Sequence, residues 1–102
     1  MKIDVEGAEV EALRGGERTL STADAIIIEI TGEGDNVFGH TRQDVIGPLE
    51  RWGFRHVGYD PLKRALQSPT LRGNNIFVRG SDADLAQRLQ AAPRFRVGGR
   101  LI

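Results

Sequence analysis

The stretch that most constrains this chain is Ala25-Ile26-Ile27-Ile28-Glu29-Ile30, in which four of six residues are isoleucine. A nearly continuous β-branched run of this length is typical of a strand that is buried on both faces of a sheet. A shorter apolar segment opens the chain, and residues 8–20 between the two carry apolar side chains at helical spacing. This order of strand, helix and strand predicts a right-handed βαβ unit, and therefore an α/β fold.

Acidic residues surround the turn between the first predicted strand and the helix. Asp4, Glu6 and Glu9 flank Gly7, which permits a tight turn. Ligands of α/β sheets bind beyond the carboxyl ends of the strands, where Glu29 is expected beside Asp4. Two explanations stay open for these acids. They could form a binding site, or they could stabilise the helix dipole by about 0.3–1 kcal/mol each and reach solvent.

The order and spacing of several segments resemble the second half of the FkbM family of S-adenosylmethionine-dependent methyltransferases. The segments that carry the resemblance are Lys2-Ile3-Asp4-Val5-Glu6-Gly7-Ala8-Glu9, Leu13-Arg14-Gly15, Ile26-Ile27-Ile28-Glu29, Gly53-Phe54, Gly58-Tyr59 and Asn75-Ile76-Phe77-Val78-Arg79. Residues 1–80 would then be the carboxyl-terminal half of a methyltransferase domain, and residues 81–102 a terminal helix and a basic tail. The opening eight residues are the most specific part of the match.

The resemblance implies a fold, a cofactor and a set of site residues. The fold is a partial class I, Rossmann-like methyltransferase sheet in three αβα layers, with strands in the order 4-5-7-6 and strand 7 antiparallel. The cofactor is S-adenosylmethionine, and the reaction is O-methyl transfer to a small-molecule or sugar hydroxyl. Asp4 and Glu6 would be catalytic, since a carboxylate can accept the acceptor's proton. Glu9, Glu29 and His40 are candidate substrate-binding residues.

The donor-binding elements of the family are not found in these 102 residues. The glycine-rich turn after the family's first strand and the acidic residue that ends the family's second strand are both missing. The resemblance also implies that Met1 falls inside a strand, because the family enters this strand from a long amino-terminal half. We therefore expect a fragment, a misplaced start or a split gene product that is inactive alone. The alternative is a non-catalytic remnant or interaction module. Its exposed sheet edge at residues 1–5 would pair with a partner chain or with its own copy.

Charge, composition and motif content argue against several other classes of function. The formal net charge is zero, but residues 1–35 carry nine acids and three bases, whereas residues 36–102 carry five acids and eleven bases. No nucleic-acid-binding motif accompanies the basic half, so no nucleic-acid partner is expected. Cysteine is absent and no EF-hand spacing occurs, so no metal site is expected. No apolar run approaches the length of a membrane span, and we expect a soluble, cytoplasmic protein without a membrane partner.

The rest of the chain predicts two further helices, two further strands and two loops. Thr41 with Asp44 indicates a helix cap, and Gly53 ends that helix. Strands are predicted at residues 54–59 and 75–79, and Ser81 with Asp84 caps a last helix. Residues 32–36 and 60–73 read as loops, and the tail at residues 94–102 as disordered or a short strand. His56 is expected to be structural or solvent-facing, and Tyr59 a core residue.

Overall fold

The computed structural model describes residues 1–31, 38–70 and 73–102. Its strands are β1 Lys2–Ile3, β2 Ala25–Glu29, β3 Arg55–Asp60, β4 Ala65–Gln67, β5 Asn74–Val78, β6 Arg96–Val97 and β7 Arg100–Leu101. Its helices are α1 Glu9–Gly15, α2 Glu17–Leu20, α3 Arg42–Arg51 and α4 Asp82–Ala91. The predicted loop at residues 32–36 lies outside the described residues.

Five strands form one mixed sheet in the order β1-β2-β5-β3-β4. β1 and β2 are parallel, with Ile3 beside Ile28, and α1 and α2 connect them. β5 lies between β2 and β3 and is antiparallel to both. The predicted strand-helix-strand unit and the α/β class are therefore confirmed, although most of the strand pairs are antiparallel.

The main core lies between one face of this sheet and the helices α1 to α3. Ile26 and Ile28 are completely buried on that face, and Phe77 of β5 packs in the same cluster. The helices contribute the following buried side chains: Val10, Leu13, Leu20, Val45 and Leu49. Burial of such side chains stabilises the fold by about 1.5–3 kcal/mol each.

The opposite face of the sheet is covered only in part. α4 lies against part of it. Arg55 of β3, which pairs with Val78 of β5, forms an ion pair with Asp82 at the start of α4 at 2.6 Å. Ile27 points to this face and is 39% exposed. The prediction of a strand buried on both faces is therefore wrong for β2. β-branched content favours a strand, but it does not reveal whether a second layer covers it.

The predicted helix caps are present. The Asp44 amide donates to the Thr41 hydroxyl at 3.3 Å, and the Thr41 amide donates to the Asp44 carboxylate at 2.7 Å. α3 continues through Pro48 and ends before Gly53, which has a φ of 85°. The Asp84 amide likewise donates to the Ser81 hydroxyl, at 3.2 Å, at the start of α4.

The predicted loop at residues 60–73 contains a strand, and of the two alternatives for the tail the short strand is present. Within residues 60–73, β4 pairs with β3 after a turn in which the Asp60 carboxylate accepts from the amides of Leu62 and Lys63. In the tail, β6 and β7 form a hairpin around Gly98 and Gly99, whose φ angles of 55° and 81° suit a two-residue turn. β4, β6 and β7 have only two or three residues each, too few for a period-two pattern to be visible in the sequence.

Candidate functional site: an acidic edge of the sheet

The turn after β1 has an unusual backbone. Glu6 and Gly7 both have positive φ angles, 44° and 103°. A left-handed conformation costs a residue other than glycine about 1–2 kcal/mol, so the surrounding structure must hold Glu6 there. The Ala8 amide closes the turn by donating to the carbonyl of Val5 at 3.3 Å. The exposed Glu6 side chain thus projects from a constrained turn at the carboxyl end of β1.

Glu9 supplies much of that constraint. Its side chain is only 2% exposed, and its Oε1 accepts hydrogen bonds from the Gly7 amide at 3.0 Å and the Thr31 hydroxyl at 2.8 Å. The first bond fixes the turn after β1, and the second joins it to the residues that follow β2. The interpretation of Glu9 as a solvent-facing dipole acid is therefore wrong. Its predicted substrate contact stays a prediction, and the geometry gives it a positioning role.

Asp4 and Glu29 lie at the same edge of the sheet. Each is one residue beyond the paired Ile3 and Ile28, which brings the two carboxylates to adjacent strand ends. The Asp4 carboxylate forms an ion pair with Lys2 at 3.0 Å, and all three of these polar side chains are exposed. We call Asp4, Glu6 and Glu29 the acidic edge. The sequence predicted that Glu29 would lie beside Asp4, and the register of β1 and β2 agrees.

A small cavity lies near the acidic edge, although none of the three acids lines it. Glu29 pairs with Asn74 of β5, and Asn74 lines a cavity of about 110 Å³. The other lining residues come from β3, β4, β5 and the segment after β4: Val57, Gly58, Tyr59, Gln67, Thr70 and Ile76. Sequence reasoning missed Asn74 and assigned Tyr59 to the core. The register between β2 and β5 places Asn74 beside Glu29, and the pairing of β3 with β4 places Tyr59 beside Leu66, but neither register is readable from the sequence.

His40 lies in a different part of the molecule. Its Nε2 is 2.7 Å from the Glu11 carboxylate, and its ring stacks on Phe38 with centroids 6.4 Å apart. It lines a groove of about 500 Å³ between α1 and α3, whose described lining residues include none of the acidic edge. The hydrogen bond with His40 lowers the pKa of Glu11 below its ordinary value of 4.5. The structure therefore groups His40 with Glu11 and not with the acidic edge.

Two classes of feature are missing from the described part of the chain. Within residues 1–31, 38–70 and 73–102, no three histidine, aspartate or glutamate side chains are grouped so as to hold a metal ion. No helix in these ranges is long and apolar enough to cross a bilayer.

Comparison with known proteins gives one match. The model of the methyltransferase FkbM domain matches residues 1–59, which include β1, β2, the helices α1 to α3 and every member of the acidic edge. No curated protein and no solved structure matches the chain. The matched segment covers more than half of the 102 residues and contains the constrained turn after β1. The chain belongs to the FkbM methyltransferase family.

Proposed function

We propose that this chain supplies the acceptor side of an S-adenosylmethionine-dependent O-methyltransferase and transfers no methyl group by itself. The observation that carries the proposal is the buried Glu9 carboxylate, which holds the turn after β1 so that the acidic edge faces solvent. The strand order β1-β2-β5-β3, with β5 antiparallel, supports it, since this order is compatible with the order 4-5-7-6 that the family resemblance implies.

The acidic edge suits recognition and activation of a hydroxyl group. Asp4 is positioned to accept the hydroxyl proton as the new oxygen–carbon bond forms. Glu29 and Asn74 supply acceptors and donors on neighbouring strands, as recognition of a sugar or another polyhydroxylated molecule requires. Glu6, on the left-handed turn, provides a second carboxylate near the reacting oxygen.

The methyl donor does not fit the described residues at this edge. The adjoining cavity of about 110 Å³ is smaller than the roughly 300–1,000 Å³ typical of small-molecule sites. Among the described residues the edge presents carboxylates, which do not suit a nucleoside. In this proposal the donor is held by a polypeptide segment other than the described residues of the edge.

Transfer of labelled methyl groups tests the proposal in two stages. The purified chain, given labelled S-adenosylmethionine and a panel of sugar and phenol acceptors, is expected to transfer nothing above the buffer blank. Residues 1–59 then replace the matched segment of an active FkbM-family methyltransferase. In this chimera Asp4→Asn is expected to lower the turnover rate about 100-fold or more. Asp24→Asn, at an exposed position before β2, is the matched control.

Three results would contradict the proposal. Transfer by the 102-residue chain alone would show that it holds the donor. Equal rates for the Asp4→Asn and Asp24→Asn chimeras would remove the catalytic role of the acidic edge. If the chimera itself is inactive although folded, the proposal that these residues serve an acceptor site fails in favour of the non-catalytic alternative. That alternative is favoured by the position of β1 at the end of the sheet, where no strand among the described residues pairs with its outer side.

A further inference from the structure

The hairpin of β6 and β7 exposes apolar side chains that a tail would normally bury. Phe95 is 61% exposed and Val97 is 52% exposed. Phe95 and Val97 lie on the same side of the hairpin, since they are two residues apart on one arm of it. Arg100 lies on that side as well, because it pairs with Val97. The backbone of Phe95 is hydrogen-bonded to that of Ile102 in both directions, at 2.9 and 3.0 Å. An isolated two-stranded hairpin is only marginally stable in water, so a surface that covers this side would stabilise it.

The hairpin is also strongly basic. Between residue 85 and the end of the chain there are four arginines and no acid. Arg100 has no ion pair or hydrogen bond from its side chain to the described residues, and Arg96 reaches only the carbonyl of Gly99, at 3.5 Å. A partner for the Phe95 side of the hairpin must therefore be apolar at its centre and negatively charged around it.

This chain carries such a surface on the sheet face opposite the main core, beyond the part that α4 covers. We call this part the uncovered sheet face. Ile76 of β5 pairs with Ile27 of β2 on one side and with Val57 of β3 on the other. The three side chains form an apolar row across three strands. Ile27 is 39% exposed, and Ile76 and Val57 are partly exposed. The acidic edge borders this row, and Lys2, which pairs with Ile27 at the end of the row, is already neutralised by its ion pair with Asp4.

We infer that the hairpin of one copy of this chain docks on the uncovered sheet face of a second copy. Phe95 and Val97 cover the apolar row, and Arg100 lies against the acidic edge. The exchange is reciprocal in a two-fold dimer, so two hairpins and two sheet faces contribute to one interface. A stable interface buries about 1,200–2,000 Å² in total, which a single eight-residue hairpin does not supply but a reciprocal pair can approach. The apolar row and the acidic edge also border the proposed acceptor site, so docking of the hairpin and binding of an acceptor exclude each other. The dimer is tested without any measurement of methyl transfer.

Sedimentation velocity of the purified chain over a hundredfold range of concentration tests the inference. We expect a monomer–dimer equilibrium that weakens between about 0.1 M and 1 M NaCl, where the screening length falls from about 10 Å to 3 Å. Arg100→Glu is expected to raise the dimer dissociation constant about 10-fold or more, because it places like charges together. Arg96→Glu is the matched control, since Arg96 lies on the other side of the same hairpin. It is expected to change the constant less than about 3-fold.

Two further experiments exchange the charges of Glu29 and Arg100 and replace the apolar side chain of Phe95. Glu29→Arg alone is expected to weaken the dimer, and Glu29→Arg combined with Arg100→Glu to recover most of its affinity. Phe95→Ser is expected to weaken the dimer at both salt concentrations. Circular dichroism of each variant, compared with the parent chain, establishes that the fold is retained.

Three results would overturn the inference. The first is a chain that stays monomeric over the whole range of concentration. The second is an equal effect of Arg100→Glu and Arg96→Glu on the dimer. The third is binding to vesicles of phosphatidylcholine and phosphatidylserine that requires Arg100 while the chain in solution is monomeric. This third result would assign the hairpin to an anionic membrane surface instead.

Discussion

The Glu9 carboxylate lies 2.8 Å from the Thr31 hydroxyl and thereby connects the start of α1 to the end of the strand β2, 22 residues further along the chain. The same oxygen accepts the Gly7 amide, so one buried carboxylate organises both sides of the acidic edge. Glu9 begins α1, but its burial shows that its role is to position the turn rather than to face solvent.

Substitution of Glu9 is expected to destabilise the fold and loosen the turn. Hydrogen bonds to charged groups contribute about 1.5–3 kcal/mol, and a buried partner left unsatisfied adds to the loss. We expect Glu9→Ala to lower the free energy of unfolding by about 2–3 kcal/mol and Glu9→Gln by about 1 kcal/mol, measured by urea denaturation. Glu17→Gln, at an exposed position on α2, is the control and is expected to cost less than about 1 kcal/mol. Similar losses for Glu9→Gln and Glu17→Gln would show that the buried bonds contribute nothing.

Arg64 holds the end of α4 against the β3–β4 hairpin. Its buried guanidinium donates to the carbonyls of Leu89 and Ala92, and the Gln90 side chain donates back to the Arg64 carbonyl at 3.0 Å. A cation at the carboxyl end of a helix is also favoured by the helix dipole. We expect Arg64→Ala to lower the free energy of unfolding by about 2–3 kcal/mol, measured in urea.

The backbone at Arg64 gives a sharper comparison. Its φ is 52°, a conformation that costs a residue with a Cβ about 1–2 kcal/mol and costs glycine little. Arg64→Gly is therefore expected to be about 1 kcal/mol less destabilising than Arg64→Ala. A larger loss for glycine than for alanine would contradict the left-handed conformation. Arg88→Ala, at an exposed position of α4, is expected to have little effect in the same assay.

The elements that local chemistry determines were predictable, and those that depend on distant partners were not. The isoleucines of β2 and the Thr41–Asp44 cap act within a few residues, so their patterns are visible in the sequence. The burial of Glu9 depends on Thr31, and the exposure of Ile27 depends on which part of the sheet α4 covers. Neither is encoded in a local spacing. The cavity residue Asn74 became visible only through the register of β5 with β2.

The pair of Glu11 and His40 makes the stability of the α1–α3 groove depend on pH. The hydrogen bond from His40 is the largest cause that lowers the pKa of Glu11 from its ordinary value of 4.5. A carboxylate whose pKa is lowered by folding contributes stability above its unfolded pKa and loses it as the pH falls through the folded value. We therefore expect stability to decline below about pH 4.5, and Glu11→Gln to make this decline shallower. Urea midpoints measured between about pH 6 and pH 3 test this, and unchanged slopes would contradict it.

His56 produces a second pH dependence at higher pH. Its ring stacks on Phe77 with centroids 4.6 Å apart and an angle of 10° between the planes. Burial lowers the pKa of His56 from its ordinary value of 6.5, and the neighbouring Asn75 amide acts in the opposite direction. Folding therefore favours the neutral ring. The contribution of the neutral His56 ring to the free energy of unfolding is fully present above pH 6.5. It is lost as the pH falls from 6.5 through the pKa of the folded state.

Replacement of His56 by phenylalanine separates this titration from all others. Phenylalanine keeps an aromatic ring against Phe77 but binds no proton, so the stability of His56→Phe is expected to change less between about pH 7.5 and pH 5.5 than that of the parent chain. Urea midpoints at the two pH values measure the difference, and carboxylates contribute equally to both proteins. If the two proteins respond alike to the change in pH, then folding does not lower the pKa of His56 and its neighbours do not desolvate the ring.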